Sequence, residues 1–185
     1  MRSNFFRLPD FRTSSRGLLL FFVVSFLACR KPQALQFINL QNFDVETISA
    51  GESVKQSFEA FARGDIDAMT ANFADTLLYS WSSGDSLRGK KAVADYYKGR
   101  RSLIDSVSVA EPIVLPIQVN ESQSKYAPTG KWVLYWAMLN VKYKNGKKIS
   151  FWMHNVNHFN EAGKVDYIGQ YIDRGQIAAA TAGMK

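Results

Sequence analysis

Apolar residues follow two different spacings along this chain, helical up to about residue 100 and alternating beyond about residue 106. The helical spacing is clearest in one group: Val54, Phe58, Phe61 and Ala62. Steps of three and four place these side chains on one face of a helix, which we expect to begin at a capping box of Ser49 and Glu52 and to end at Gly64. A short second helix is predicted to begin at Asp65, and a third to span about 89–100.

The alternating spacing predicts β-strands. A first strand carries Leu77, Tyr79 and Trp81 on one side and ends at a turn over 82–85. Four longer runs follow: 107–119, 132–143, 149–159 and 165–173. The Asn145-Gly146 pair favours a tight hairpin, and we expect the last three strands to be sequential antiparallel neighbours. Helices followed by a strand meander predict an α+β fold with the helices packed on one face of a sheet.

The first 28 residues have the composition of a targeting segment. Four arginines within residues 2–16 precede an apolar run over 17–28 that is too short to span a bilayer comfortably. The run ends in Phe-Leu-Ala directly before Cys29, the only cysteine of the chain, which therefore has no partner for an internal disulfide. The sequence FLAC resembles the lipobox of bacterial lipoproteins. This resemblance implies cleavage before Cys29 and lipidation of that cysteine.

A lipoprotein would have a signal peptide over 1–28, a lipidated cysteine and tether over 29–50, and a domain held at the bacterial cell envelope, on the periplasmic face of a membrane or at the cell surface. An ordinary signal peptide or an uncleaved anchor is the alternative. Residues 29–185 keep 19 Lys and Arg against 15 Asp and Glu, because residues 1–28 hold four of the 23 basic and one of the 16 acidic residues. This small basic excess is dispersed among acids and does not predict a nucleic-acid surface.

Three stretches of the chain resemble the nuclear transport factor 2-like superfamily, in particular its SnoaL-like and ketosteroid-isomerase-like branches: ARGDIDAMTANFADT, LRGKKAVADYY and HFNEAGKVDYIGQYID. The resemblance covers about 51–173 and implies a domain over 51–175. In that cone-shaped fold, three N-terminal helices cap the concave face of a strongly curved, mainly antiparallel sheet and leave a conical pocket. The tail over 176–185 is expected to be flexible. The same fold serves isomerases, cyclases, hydrolases and non-enzymatic binders.

The two histidines of the chain, His154 and His158, stand four residues apart in a predicted strand. On a strand this spacing separates them by roughly 13 Å, which is too far for one zinc ion to bind both. We therefore predict no metal site and no cofactor. Alternation puts Met153, Asn155 and Asn157 on one face of the strand and both histidines on the other. It does not decide which face lies under the helices.

The family resemblance supplies that choice, because Asn155 falls where ketosteroid isomerases hold an aspartic acid that helps to bind the developing oxyanion. Asn155 would then face the pocket, and the histidines would face the convex side. Ten residues are predicted to line the pocket: Tyr79, Trp81, Tyr97, Trp136, Met138, Asn140, Met153, Asn155, Asn157 and Gln170. Such a lining suits a small apolar or amphipathic ligand. With 14% aromatic residues, the deepest positions can either enclose a cavity or fill it.

The convex face is predicted to carry an aromatic and apolar patch that includes Tyr135, Leu139, Trp152, His154, Tyr167 and Tyr171. A solvated sheet face is normally polar, so this patch indicates a partner surface. The usual partner in the superfamily is a second copy of the same domain. We therefore predict a homodimer through this face.

The predicted pocket departs from the ketosteroid isomerases at their catalytic positions. The resemblance places Trp81 at the position of the base and Asn155 at that of the acid partner. An indole cannot accept a proton, and an amide is not an acid at neutral pH. Ser57 stands where the family has a tyrosine donor, whereas Tyr97 matches the second tyrosine of that network. Catalysis by the ketosteroid isomerase mechanism is therefore not expected.

Three hypotheses for the function follow from these residues. The first is a lipid-anchored domain that binds a small ligand without turning it over. The second is a SnoaL-like cyclase or isomerase with an unrecognised acid or base, for which Asp173 with His154 is the nearest candidate. The third is an interaction module whose pocket is filled and whose sheet face binds another envelope protein.

Overall fold

The computed structural model describes residues 45–122, 124 and 127–184. The predicted signal peptide, Cys29 and most of the predicted tether lie outside these residues. None of the described helices is both long and apolar enough to cross a membrane.

Four helices and six strands make up the described part of the chain. The helices are α1 (Val45–Arg63), α2 (Ile66–Met69), α3 (Lys90–Ser102) and α4 (Arg174–Thr181). The strands are β1 (Phe73–Trp81), β2 (Ser86–Arg88), β3 (Ile104–Val119), β4 (Gly130–Tyr143), β5 (Lys148–Phe159) and β6 (Val165–Tyr171).

The six strands form one curved sheet in the order β2-β1-β6-β5-β4-β3. Strands β3 to β6 pair antiparallel with their sequence neighbours, as predicted for the last three. Strand β1 pairs in parallel with β6, so the chain crosses the sheet between them. Helix α1 packs against β3 and β4, and α3 packs against β1. The predicted α+β fold, with helices on one face of a mainly antiparallel sheet, is confirmed.

Helix α1 begins earlier than the sequence pattern predicts. Its first residue is Val45, so Ser49 lies inside the helix and the predicted capping box is wrong. Residues 45–50, assigned to the tether, are helical. Packing against β3 explains the extension: a Cβ atom added at Gly51 would lie 3.1 Å from the Val114 side chain, so the two backbones approach closely here.

A glycine and an aspartate separate α1 from α2, as predicted. Gly64 has a φ of +85°, a conformation that favours glycine, and its N–H donates to the Phe61 carbonyl at 3.0 Å. Asp65 then caps α2 by accepting a hydrogen bond from the Ala68 N–H at 2.9 Å. The chain therefore reverses within a few residues and buries Met69 beneath α1.

The C-terminal tail forms a helix, so the prediction of a flexible tail over 176–185 is wrong for the residues described up to 184. Helix α4 begins after Asp173, whose side chain accepts hydrogen bonds from two N–H groups of the first turn. Ile177 and Ala180 are buried. An alanine-rich segment of eight residues is too short to form a stable helix alone, so packing against the domain supports it.

The β4–β5 loop is one residue longer than predicted, and for this reason the side chains of β4 lie on the opposite faces from those predicted. The Tyr143 N–H donates to the Lys147 carbonyl at 2.8 Å, which leaves a loop of three residues, 144–146, where the Asn-Gly pair predicts two. Gly146, with a φ of +85°, closes this loop. Residues directly opposite each other in neighbouring strands share a face, so one extra loop residue turns every β4 side chain over relative to β5.

As a result, Tyr135 pairs with Asn155, and Trp136 pairs with His154. Trp136, Met138 and Asn140 lie on the outer face, and their predicted placement in the pocket is wrong. Tyr135 and Leu139, predicted for the outer face, are instead buried under the helices, with 0% and 6% of their surfaces exposed.

Candidate functional site

The other seven predicted pocket residues lie together under the helices. All of them are buried: Tyr79, Trp81, Tyr97, Met153, Asn155, Asn157 and Gln170. The register of the sheet places Gln170 of β6 between Trp81 of β1 and Asn155 of β5. Tyr97 reaches the same region from α3. The sequence therefore predicted this part of the inner face correctly.

Hydrogen bonds join most of these polar groups to one another. The Tyr79 and Tyr97 hydroxyls share a short hydrogen bond. The Trp81 indole N–H donates to Gln170 Oε1 at 2.8 Å, and Asn157 Nδ2 donates to a β4 backbone carbonyl at 3.1 Å. These bonds fix the orientation of three side chains on the sheet and so define which polar atoms remain for a ligand.

Burial keeps the two tyrosines neutral. Desolvation, followed by the proximity of Tyr97, raises the pKa of Tyr79 well above its usual range, and desolvation also raises the pKa of Tyr97. A neutral phenol donates and accepts hydrogen bonds. The pair can therefore bind a carbonyl or hydroxyl group, but it lacks the ionised oxygen that abstracts a proton from carbon.

The aromatic side chains leave two small cavities under the helices. The first, which we name the Asn157 cavity, has a volume of about 120 Å³ and lies between α1, α2 and the strands β1, β5 and β6. Tyr79, Asn155 and Asn157 belong to its polar wall, and Phe58 and Ile168 belong to its apolar wall. Asn155 Oδ1 is buried without a hydrogen-bond partner among the described residues.

The second cavity, which we name the Arg100 cavity, has a volume of about 60 Å³ and lies between α1, α3, α4 and the strands β4 to β6. Phe58 lines both cavities and stacks on Tyr135 with 4.5 Å between the ring centroids. Both volumes are far below the roughly 300 Å³ at which pockets for drug-sized ligands begin. Aromatic side chains thus fill most of the space between helices and sheet.

The two cavities divide the predicted pocket residues between them. Three residues line the Asn157 cavity: Tyr79, Asn155 and Asn157. Three line the Arg100 cavity: Tyr97, Met153 and Gln170. Trp81 lines neither, because its ring packs between Tyr79, at 4.8 Å, and Tyr96, at 5.1 Å. Trp81 is therefore not placed to contact a ligand in either cavity.

The cavity walls carry few titratable groups. Tyr79 is the one titratable side chain among the described residues that line the Asn157 cavity. The titratable side chains among the described residues that line the Arg100 cavity are three tyrosines and Arg100. Within the described part of the chain, neither wall includes a carboxylate or an imidazole, and no cluster of three His, Cys, Asp or Glu residues is placed to hold a metal ion.

Both histidines lie on the outer face, as predicted. His154 stacks on Trp136 with 4.3 Å between the rings, and burial lowers its pKa. His158 places Nδ1 2.6 Å from Asp166 Oδ1 and Nε2 3.2 Å from the Thr129 carbonyl oxygen. Neither ring lines an inner cavity. The candidate acid-base pair of Asp173 with His154 is wrong in its placement, since Asp173 caps α4.

Arg100 is the residue of this site that the sequence analysis missed. It follows Val93 by seven residues and Tyr97 by three, and both of these side chains are buried. That spacing puts Arg100 on the buried face of α3. Its position in the last turn of a helix hides this signal, because arginine is common there for its interaction with the helix dipole.

Solved structures share this fold at low sequence identity. A candidate polyketide cyclase from Xanthomonas campestris pv. campestris is 17% identical, with a TM-score of 0.59 over 74% of this chain and 99% of its own. A second candidate polyketide cyclase, from Pseudomonas putida, is 16% identical, with a TM-score of 0.56 over 71% and 96%. A candidate isomerase from Bacillus subtilis is 16% identical, with a TM-score of 0.60 over 76% and 97%. These likenesses concern the fold alone.

Sequence comparison identifies the family. No curated protein sequence matches the chain significantly. A family model described as a SnoaL-like domain matches residues 54–168, which is more than half of the chain and runs from α1 into β6. Together with the helix-covered curved sheet, this match shows that the chain belongs to the SnoaL-like family of the nuclear transport factor 2-like fold.

Proposed function

We propose that this protein is a lipid-anchored domain of the bacterial cell envelope that binds a small, neutral, largely apolar molecule in the Asn157 cavity without turning it over. One observation carries the proposal. The cavity wall combines apolar side chains with amide and hydroxyl groups, and Tyr79, its one titratable group among the described residues, has a pKa raised well above its usual range. Such a wall can orient a ligand by hydrogen bonds but offers no group to exchange protons with it.

The size of the Asn157 cavity limits the ligand. An engineered apolar cavity of about 150 Å³ accepts benzene, and the Asn157 cavity, at about 120 Å³, is slightly smaller. The unpartnered Asn155 Oδ1 is an acceptor in its wall. On this scale the cavity takes a compact molecule of about five non-hydrogen atoms, and cyclobutanol, which carries one hydroxyl group, is a convenient probe of this class.

Native mass spectrometry of the protein purified from its own host tests the proposal. We expect a retained small molecule that leaves on unfolding and is recovered chemically unchanged after long incubation. Ser57→Leu should fill the cavity from α1 and abolish retention, because Ser57 lines the cavity. Glu59→Leu, on the exposed side of the same helix, is the matched control and should retain the molecule. Conversion of the molecule into a product would favour the cyclase or isomerase alternative instead.

The enzymatic alternative rests on the buried hydroxyl pair of Tyr79 and Tyr97. A proton transfer at carbon would need a base beside them, and the described walls of both cavities hold none. The filled-pocket alternative rests on the small cavity volumes. It predicts that neither cyclobutanol nor any host molecule binds, so that calorimetric titration with cyclobutanol shows no heat and Ser57→Leu changes nothing.

Lipid anchoring through Cys29 belongs to the same proposal and rests on the FLAC sequence. Metabolic labelling with a palmitate analogue should mark the wild-type protein. Cys29→Ser should lose the label and leave the membrane fraction. An unlabelled wild-type protein with an intact N-terminus would contradict the anchor but not the binding function.

We also propose that the outer face of the sheet binds a second copy of this chain. Sheet register aligns Ile113, Trp136, His154 and Tyr171 in one row across four strands. Trp152 and Tyr171 are 47% and 52% exposed. A two-fold axis would place this apolar patch against the same patch of a second copy and remove both from water. Sedimentation velocity should show a dimer that Trp152→Glu dissociates, whereas a wild-type monomer at high micromolar concentration would contradict it.

A further inference from the structure

We infer that the Arg100 cavity is a second binding site, for the short apolar tail of a monocarboxylate whose carboxylate rests on the Arg100 guanidinium. This site is separate from the Asn157 cavity and does not depend on the function proposed for it. Its walls, its charge and its hydrogen-bond donors each point to this ligand class.

The walls of the Arg100 cavity are apolar. Apolar side chains from four of the surrounding elements contribute to them: Phe61 of α1, Leu139 of β4, Phe151 of β5 and Ile177 of α4. The volume of about 60 Å³ is half that of the Asn157 cavity. On the scale of about 150 Å³ for benzene, this space takes an alkyl tail of about three carbon atoms.

Arg100 places a positive charge at this apolar space, and no carboxylate within the described part of the chain forms an ion pair with it. The side chain is half-buried, and its polar neighbour is the Tyr143 hydroxyl. Six described carboxylates form ion pairs with other cations: Lys55, Lys91, Lys98, Lys142, His158 and Arg174. A guanidinium favours planar, bidentate binding of a carboxylate, and a partly desolvated guanidinium gains most from it.

Gln170 adds an amide N–H donor to the wall of this cavity. Its Oε1 accepts from the Trp81 indole N–H, which fixes the orientation of the amide. Its Nε2 donates to Met153 Sδ at 3.4 Å, which is a weak acceptor, and the amide also lies beside the Tyr97 hydroxyl. The cavity thus presents a cation, an amide N–H and tyrosine hydroxyls, and no carboxylate among its described lining residues. That set recognises an acceptor-rich anion and disfavours a cation.

Helix α4 closes one side of this cavity through Ile177. The β4–β5 hairpin holds the end of the helix in place: Asn145 Nδ2 donates to the Ala180 carbonyl and Lys147 Nζ to the Ala179 carbonyl, each at 2.9 Å. The tail of a ligand would therefore lie between α4 and the sheet, with its carboxylate at the α3 side where Arg100 stands.

Butanoate and butanamide are a matched pair of probes for this site, because they have the same tail and differ in charge. Titration of the full protein, followed by the NMR signals of the Arg100 side chain and the Ile177 methyl groups, should show saturable binding of butanoate. Butanamide should bind about tenfold or more weakly, as expected for loss of a charge-assisted hydrogen bond. Equal binding of the two probes would overturn the inference without any variant.

Arg100→Gln should weaken butanoate binding by about tenfold. Lys91→Gln removes one positive charge from the exposed side of the same helix and should leave the affinity unchanged. Equal affinity of Arg100→Gln and the wild type would overturn the inference, as would equal losses in both variants, which would indicate a non-specific charge effect. Ser57→Leu should not affect butanoate, so failure of this site and failure of the Asn157 cavity are separable.

Discussion

Both faces of the sheet carry aromatic side chains, yet the two faces differ in what covers them. On the inner face, helices bury Tyr79, Tyr97 and Tyr135, and their rings fill the space between helices and sheet. On the outer face, Trp136 and His154 stack on each other, and the neighbouring Trp152 is half exposed. Aromatic alternation along a strand therefore does not identify the core. The face that meets the apolar sides of the helices becomes the core.

The inner and outer faces also differ in the kind of polar groups that they carry. Inside, amides and hydroxyls are neutral and mostly hydrogen-bonded to one another. Outside, His158 lies 2.6 Å from the Asp166 carboxylate, and His154 stacks on Trp136. The inner face thus holds neutral polar groups, whereas the outer face holds an imidazole beside a carboxylate. Four predictions compare the two faces, from the largest expected effect to the smallest.

Truncation of an aromatic ring should cost far more on the inner face than on the outer face. Tyr135→Ala removes a fully buried ring that stacks on Phe58, so we expect the free energy of unfolding to fall by about 3–5 kcal/mol. Trp152→Ala should change it by less than about 0.5 kcal/mol in dilute protein. Urea denaturation of the two variants checks this, and similar losses would mean that the faces are not distinct.

Helix α4 should behave as part of the inner face. Ile177→Ala removes a buried side chain from the Arg100 cavity and should lower the free energy of unfolding by about 2 kcal/mol. Gln176→Ala, at an exposed position of the same helix, is the control and should be nearly neutral. An Ile177→Ala variant as stable as the control would restore the prediction of a flexible tail.

The His158–Asp166 pair should contribute less than a core ring but more than an exposed ion pair. Asp166→Asn removes the carboxylate that lies 2.6 Å from a largely buried imidazole, and we expect a loss of about 1 kcal/mol. Asp105→Asn breaks a well-exposed pair with Lys142 and should cost less than about 0.5 kcal/mol. Thermal and urea unfolding at pH 6 measure both variants, and equal losses would contradict the ranking.

His154 should make the smallest contribution, visible as a dependence of stability on pH. Burial lowers its pKa in the folded state below the unfolded value of about 6.5. The unfolded chain therefore takes up the proton first, so this contribution to stability is complete above about pH 6.5 and decreases as the pH falls toward the lowered pKa. His154→Phe keeps an aromatic ring and should flatten the slope between pH 7 and pH 5. An unchanged slope would exclude His154 as its source.

Much of the candidate site was predictable, and the errors have identifiable physical sources. The inner position of Asn155 and Asn157 followed from family resemblance and strand alternation, and burial confirms it. The inverted face of β4 came from one loop residue, since the Asn-Gly pair takes part in a three-residue loop. Arg100 was missed because an arginine in the last turn of a helix can either face the core or lie exposed at the basic end of the helix.

The sequence by itself determined the order of elements, the α+β class and the chemistry of the inner residues, because spacing and residue type are local properties of the chain. Only the tertiary structure decided which face of β4 turned inward, that the alanine-rich tail became α4, and that the pocket divided into two small cavities. These outcomes depend on register across a loop and on packing between segments distant in sequence, which no local pattern specifies.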